Sequence, residues 1–160
     1  MRFSHELTYD APPEEVYAML ADPSFRERVS LAREVVSFDV TLTATDSGFT
    51  LVNDQIQPTA GLPSFAKKFA GETTKAIQRE EWSSPTSGSL TIETPGKPTS
   101  MNGTITLSAS GAGTVERVDL EIKAKVPLIG GKLESLMADQ VREGMDIEQQ
   151  VGEAWLRGEK

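Results

Sequence analysis

Residues 118–155 read VDLEIKAKVPLIGGKLESLMADQVREGMDIEQQVGEAW, and the fold class follows from this segment. Up to Val126 it alternates apolar and charged residues, which is the period of a strand with one buried face. Residues 127–131 form a turn. From 132 to 155 the period becomes helical, which predicts a helix about 35 Å long at about 1.5 Å per residue. The segment therefore predicts a sheet that closes onto one long helix.

The apolar residues of the predicted helix gather on one side of the helical wheel, and charged residues lie opposite. One face must be buried, which suits a two-layer α+β sandwich. The apolar stripe consists of Leu133, Met137, Val141, Ile147, Val151 and Trp155.

The rest of the chain predicts two short helices and six further strands, about seven strands in all. Asp10 is a candidate N-cap for a helix that starts at Pro12 and Pro13, and Asp22 caps a second helix that runs to about Arg33. Turn signals at short spacing favour an antiparallel meander. The predicted strands are residues 2–10, 36–44, 49–57, 73–83, 89–94, 100–109 and 114–126.

The composition favours one domain spanning residues 1–160, with 38% hydrophobic residues and no cysteine. Without cysteine there is no disulfide, no thiolate chemistry and no cysteine-ligated metal, so the cytoplasm is the expected location. The first residues alternate like a strand and lack a signal-peptide core. No segment has the roughly 20 apolar residues that span a bilayer, so integral membrane association is not expected.

The formal net charge of −8 bears on possible partners. A negative surface repels nucleic-acid phosphates, so we expect no nucleic-acid partner. The sequence does not indicate an oligomeric state.

The predicted element order is that of the helix-grip (SRPBCC) superfamily, which the whole chain resembles. That superfamily includes START lipid-transfer domains, birch-pollen-type allergens and polyketide cyclases. Shorter motifs resemble an actinobacterial family of unknown function, DUF2505. The resemblance implies a curved sheet gripping the terminal helix around a cavity for a lipid, steroid or polyketide-like molecule. The motifs are Pro63-Ser64-Phe65, Gly71, Glu81-Trp82, Gly103, residues 127–134 (PLIGGKLE) and Trp155-Leu156.

We therefore predict non-covalent binding of a small hydrophobic or amphipathic molecule. Burial of apolar area would drive binding, and one or two polar groups would set the orientation. The predicted ligand-binding residues, taken from phase and fold, are Leu7, Phe38, Val40, Glu80, Trp82, Ile105, Leu120, Ile122, Met137, Gln140, Val141 and Gly144.

Gly144 interrupts the apolar stripe, where a glycine costs about 1 kcal/mol relative to alanine. Either a ligand fills the space, or a strand or short helix approaches closely. Gln140 and Glu148 lie on or beside the same stripe. Each is either a hydrogen-bonding contact for the ligand or a structural group: Gln140 a partner for backbone, Glu148 a side chain that reaches solvent.

Residues 62–70 have helical apolar spacing, with Lys67 and Lys68 on the outside. We interpret this segment as a lid over the cavity mouth, with Phe65 and Phe69 as its apolar contacts. Its lysines could touch a membrane or a donor protein. The alternative is a loop that covers one end of the core.

No catalytic residue, metal ligand or cofactor is assigned from the sequence. His5 is the only histidine, and no carboxylate cluster accompanies it at ligand spacing. Two alternatives stay open beside ligand binding. One is a cyclase, dehydratase or hydratase, which would need His5, Glu80 or Tyr9 to converge on one point of the cavity. The other is a partner-binding module whose interior is filled by side chains.

Overall fold

We obtained a computed structural model that describes residues 1–160. It contains seven strands and four helices. In chain order these are β1 (Arg2–Tyr9), α1 (Pro13–Leu20), α2 (Pro23–Ala32), β2 (Ser37–Ala44), β3 (Phe49–Pro58), α3 (Ser64–Ala70), β4 (Thr73–Ser84), β5 (Ser87–Glu93), β6 (Thr99–Ser110), β7 (Gly113–Ala124) and α4 (Gly130–Leu156).

All seven strands belong to one antiparallel sheet in the order β1-β7-β6-β5-β4-β3-β2. Strands β2 to β7 form a meander, and β1 joins it beside β7. Helix α4 packs against β1 and β7 and against α1 and α2. The curved sheet around one long helix, with two short helices after β1, confirms the predicted helix-grip architecture.

The helix starts follow the proline signals, with one correction. Asp22 caps α2 as predicted, and its carboxylate accepts a hydrogen bond from the Ser24 amide at 2.9 Å. The prediction of Asp10 as the cap of α1 is wrong. Pro12 occupies the N-cap position without a side-chain hydrogen bond, because the helix begins directly at Pro13, whose fixed φ suits the first helical residue.

Strand β7 ends two residues earlier than predicted, and α4 begins two residues earlier. On the β1 side, the Met1 carbonyl accepts the amide of Ile122 at 2.8 Å. The next amide on this edge of β7, that of Ala124, donates to the Glu134 carboxylate at 3.0 Å, so α4 closes the end of the sheet. The Gly130 amide already bonds to the Val126 carbonyl at 2.9 Å, which completes a helical turn.

The main core lies between the sheet and helices α1, α2 and α4. The Trp82 ring stacks on Phe49 with ring centroids 5.6 Å apart, and Tyr17 packs against both. Gly88 makes room for this group, because a Cβ there would lie 2.8 Å from the Trp82 ring. A smaller apolar cluster of Ala66, Ala124 and Leu133 lies where α3 meets α4.

None of the four helices combines the length and the apolar character that crossing a membrane requires.

Candidate functional site

Two adjoining cavities lie between the sheet and α4. The inner chamber has a volume of about 80 Å³ and the outer chamber about 140 Å³. The wall they share is formed by Arg33, Gln78, Ile92 and Val141. The inner chamber is defined by its polar lining of Arg26, Ser30, Asn53, Glu80, Glu116 and Glu148. The outer chamber is defined by its apolar lining of Leu62, Ala66, Phe69, Met101, Leu136 and Met137.

A buried ion pair lies in the inner chamber. Both terminal nitrogens of Arg26 donate to the Glu80 carboxylate at 2.9 Å, in the bidentate geometry that suits a guanidinium and a carboxylate. The Arg26 Nε donates to the Leu20 carbonyl at 2.8 Å. Glu80 also accepts from Trp82 Nε1 at 2.9 Å and from Gln78 Nε2 at 2.7 Å. Each guanidinium nitrogen and each carboxylate oxygen of the pair has a hydrogen-bond partner, which helps to compensate the burial of two charges.

Two further glutamates lie around this pair. Glu116 is 2% exposed, and its Oε1 has no hydrogen-bond partner. Burial raises the pKa of Glu116 well above its ordinary value, and the negative charges of Glu148 and Glu80 raise it further. Burial also raises the pKa of Glu148, whose Oε1 lies 3.7 Å from a terminal nitrogen of Arg26. The chamber thus favours the protonated form of Glu116, which can donate a hydrogen bond.

Asn53 provides a second unpartnered polar atom in the inner chamber. Its Nδ2 donates to the Ser30 hydroxyl at 3.0 Å, while its buried Oδ1 has no partner. Buried polar atoms in native proteins nearly always have partners. The inner chamber therefore holds hydrogen-bonding capacity that the protein itself leaves unused.

Arg33 stands on the shared wall, just after the end of α2. Its guanidinium packs over Gly144 of α4, where a Cβ would lie 3.0 Å from the Arg33 Nε. No acidic oxygen lies within 4 Å of its nitrogens; the salt bridges involve other residues. Burial lowers the pKa of Arg33, an effect that the charge of Glu148 opposes.

Helix α3 covers the outer chamber. Phe69 and Ala66 of α3 line it, as do Met137 and Leu136 of α4. The Lys97 ammonium donates to the Phe69 carbonyl at 3.0 Å and so ties the end of α3 to the sheet. This chamber offers a largely apolar surface next to the Arg33 guanidinium.

Seven of the predicted ligand-binding and lid residues line a chamber. Glu80, Ile105 and Gly144 line the inner chamber, and Met137, Gln140 and Phe69 line the outer one, with Gln140 at the exposed rim. Val141 lines both. The atoms nearest to a Cβ at Gly144 would belong to the Arg33 side chain, at 3.0 to 3.2 Å.

The other predicted residues lie outside both chambers. Leu7, Leu120 and Ile122 are buried in the main core, and Trp82 supports Glu80 from there. Phe38 and Val40 are only half-buried, and they lie on β2, one of the two edge strands of the sheet. Phe65 packs under the Lys132 ammonium, 5.9 Å from its ring centroid.

The three residues required by the predicted enzyme alternative do not meet. His5 Nε2 lies 2.9 Å from an Asp146 carboxylate oxygen, outside both chambers. Tyr9 is buried in the main core, and only Glu80 reaches a chamber. No group of three potential metal-binding side chains occurs.

Sequence reasoning missed most of the polar lining. Arg26, Ser30 and Arg33 recur at helical spacing beside the apolar pair Phe25 and Val29, so they share the buried side of α2. Asn53 lies on the same buried face of β3 as Phe49 and Leu51. Glu116 likewise lies on the same buried face of β7 as Val118. A polar residue on the otherwise apolar face of a helix or strand was the sequence signal that could have identified this lining. Glu148 lies beside Arg26, and its side chain is 15% exposed.

Comparison with solved structures shows the same fold at low sequence identity. The protein TTHA0849 from Thermus thermophilus superimposes with a TM-score of 0.66 and 20% identity, covering 96% of this chain and 94% of its own. A START superfamily protein from Mycobacterium smegmatis gives 0.65 and 14%, covering 97% and 98%. The Zhui aromatase/cyclase from Streptomyces sp. R1128 gives 0.58 and 14%, covering 95% and 90%.

Sequence comparison gives a narrower assignment. No curated protein matches the chain significantly. The model of one family, described as a protein of unknown function (DUF2505), matches residues 4–156, which is nearly the whole chain. The chain therefore belongs to the DUF2505 family and has the START-like helix-grip fold.

Proposed function

We propose that the protein binds a small amphipathic molecule non-covalently, with its apolar part in the outer chamber and its polar end towards the inner chamber. The observation that carries this proposal is the apolar outer chamber, which adjoins unused hydrogen-bonding groups across a shared wall. Ligand pockets typically combine these two features.

We expect this activity in the cytoplasm, because the chain contains no cysteine.

The size of the outer chamber favours a molecule smaller than a steroid. An apolar cavity of about 150 Å³ holds a benzene molecule, and the outer chamber has about 140 Å³. Enclosing a drug-sized molecule takes roughly 300 to 1,000 Å³. The proposal therefore specifies an apolar body of about one ring or a short aliphatic chain.

Helix α3 is the proposed lid for this chamber. Its apolar side, through Ala66 and Phe69, contacts the chamber, while Lys67 and Lys68 are exposed. The helix ends at Gly71, whose φ of 80° favours glycine. Nearby, the hydroxyl of the buried Thr59 donates to the Glu72 carbonyl at 2.7 Å and fixes the end of the lid.

A cavity-filling substitution tests the proposal. Ala76 is buried on β4 and lines the outer chamber. We expect Ala76→Leu to occupy that space and to abolish saturable binding of ring-sized probes, phenylacetate and phenylacetamide, in a titration followed by amide chemical shifts. The wild type should show saturable shifts at Phe69, Met137 and Val141.

The matched control is Ala109→Leu, which adds the same side chain at an exposed strand position. It should bind as the wild type does. Absence of saturable binding by the wild type, or equal binding by a folded Ala76→Leu protein, would contradict the proposed function.

A further inference from the structure

We propose that Arg33 recognises a carboxylate on the bound molecule, so that the ligand is a small monocarboxylic acid with an apolar body of about one ring. This inference rests on the proposed function and specifies the chemical class of its ligand. It assigns the polar end of the ligand to the wall between the chambers, at the end of α2.

The first argument is the position of Arg33 between the two chambers. Arg33 borders both chambers, so its guanidinium is within reach of a group at the inner end of the outer chamber. The glycine at 144 leaves the room in which this side chain lies. Met137 and Phe69 line the same chamber as Arg33, so a molecule with its apolar body against the first two can place its other end at Arg33.

The second argument is that the Arg33 guanidinium is the cationic group lining the chambers that has no hydrogen-bond partner in the protein. Arg26 is paired with Glu80, and the Lys97 ammonium, which has no carboxylate within 4 Å, donates to a backbone carbonyl. The Arg33 guanidinium makes neither a salt bridge within 4 Å nor a hydrogen bond to the protein, although the side chain is half-buried and lies against α4. Burial lowers the pKa of Arg33, because its charge is desolvated without a close counter-ion. A carboxylate would supply that counter-ion and match the guanidinium fork.

The third argument limits the charge of the ligand. Glu80, Glu116 and Glu148 line the inner chamber, and each ionised carboxylate there repels an anion. Glu80 is neutralised by Arg26, and burial raises the pKa values of both Glu116 and Glu148. One additional negative charge can therefore be accommodated at Arg33. A dianionic phosphate would meet stronger repulsion from the same groups. The surroundings of Arg33 thus favour a monocarboxylate.

Calorimetric titration with matched probes tests this inference. Phenylacetate and phenylacetamide have the same ring and nearly the same shape but differ in charge. We expect the wild type to bind phenylacetate at least about tenfold more tightly than phenylacetamide, since hydrogen bonds to charged groups are the stronger class. Arg33→Gln should weaken phenylacetate binding about ten- to a hundredfold and change phenylacetamide binding less than about threefold.

Two variants keep the test interpretable. Arg28→Gln removes an exposed arginine from α2, outside both chambers, and should bind as the wild type does. Arg33→Lys retains the positive charge without the fork, and should keep part of the preference for the acid even where Arg33→Gln folds poorly. Loss of preference in Arg28→Gln, or an unchanged preference in Arg33→Gln, would overturn the role of Arg33.

The remaining outcomes separate this inference from the proposed function. Equal binding of acid and amide by the wild type would overturn the carboxylate inference and leave binding in the outer chamber intact. Binding of neither probe would contradict both. Tighter binding of phenyl phosphate than of phenylacetate would assign the anion site to phosphate and overturn the monocarboxylate.

Discussion

Arg26 and Glu80 are the residues whose burial is most demanding energetically. Their side chains are 5% and 2% exposed, so each charge depends on the other for compensation. We expect Arg26→Met or Glu80→Gln to lower the free energy of unfolding by about 3 to 5 kcal/mol, the usual result of removing one partner of a buried pair. Urea denaturation measures this loss.

An exposed pair on the same sheet gives the comparison. Arg79 Nε lies 3.7 Å from Glu93, and both side chains are about half exposed. Arg79→Gln should change stability by no more than about 1 kcal/mol. Similar losses at Arg26 and Arg79 would contradict the description of the inner ion pair as tightly coupled.

Glu116 is predicted to make stability depend on pH. Burial, with the charges of Glu148 and Glu80, raises the pKa of Glu116, so the folded protein retains a proton that the unfolded chain releases above about pH 4.3. The free energy of unfolding therefore falls as pH rises through the interval between the unfolded and folded pKa values, by about 1.4 kcal/mol for each unit between them. Glu116→Gln has no such proton to lose.

The stability of Glu116→Gln relative to the wild type should accordingly increase as pH rises from about 4.3. Denaturation curves collected across this pH range measure the difference. The control is Glu81→Gln on exposed β4 surface, which should show no such trend. A difference that stays constant, or decreases with pH, would show that Glu116 is not held protonated by the fold.

At the scale of elements, the two glycines in the interior of α4, Gly152 and Gly144, have different functions. A Cβ at Gly152 would lie 2.6 Å from the Tyr9 ring and 3.1 Å from the Met19 methyl group, both buried. A Cβ at Gly144 would meet only the end of the flexible Arg33 side chain, at 3.0 to 3.2 Å. The first glycine serves packing, whereas the second makes room for the proposed recognition group.

Alanine substitutions should therefore have opposite effects. Gly152→Ala should destabilise the protein by about 1 to 3 kcal/mol through overpacking. Gly144→Ala should leave stability unchanged or raise it by up to about 1 kcal/mol, since alanine favours the helix, while displaced Arg33 weakens phenylacetate binding. Urea denaturation and calorimetry on both variants measure these effects. Equal destabilisation by the two would contradict this division.

Some elements were predictable from local period alone, and others were not. Strand β7 and helix α4 carry long apolar phases, so their positions were predicted to within two residues. Strand β3 gave no clear inward face, because the side that carries Phe49 and Leu51 continues into Asn53 and Gln55, which are buried polar residues. Propensity and period describe local structure, and they are least informative where polar groups are buried.

At the scale of the whole molecule, the architecture was predictable and the composition of the site was only partly so. Arg26 and Glu80 are separated by 54 residues, and their pairing exists only after β4 and α2 come together. Glu80 was predicted from strand parity, but its partner on the short helix was not. Phe38 and Val40 were predicted to bind the ligand because they share the apolar face of their strand. That strand, β2, lies at an edge of the sheet, and neither residue lines a chamber.

The central claim is that the space between the sheet and α4 holds a small amphipathic acid. The most direct measurement is a crystal structure of the wild-type protein in saturating phenylacetate. We predict electron density for the ring between Phe69 and Met137, with its carboxylate within hydrogen-bonding distance of Arg33. Side-chain-filled chambers without ligand density, or density only at the protein surface, would contradict the claim.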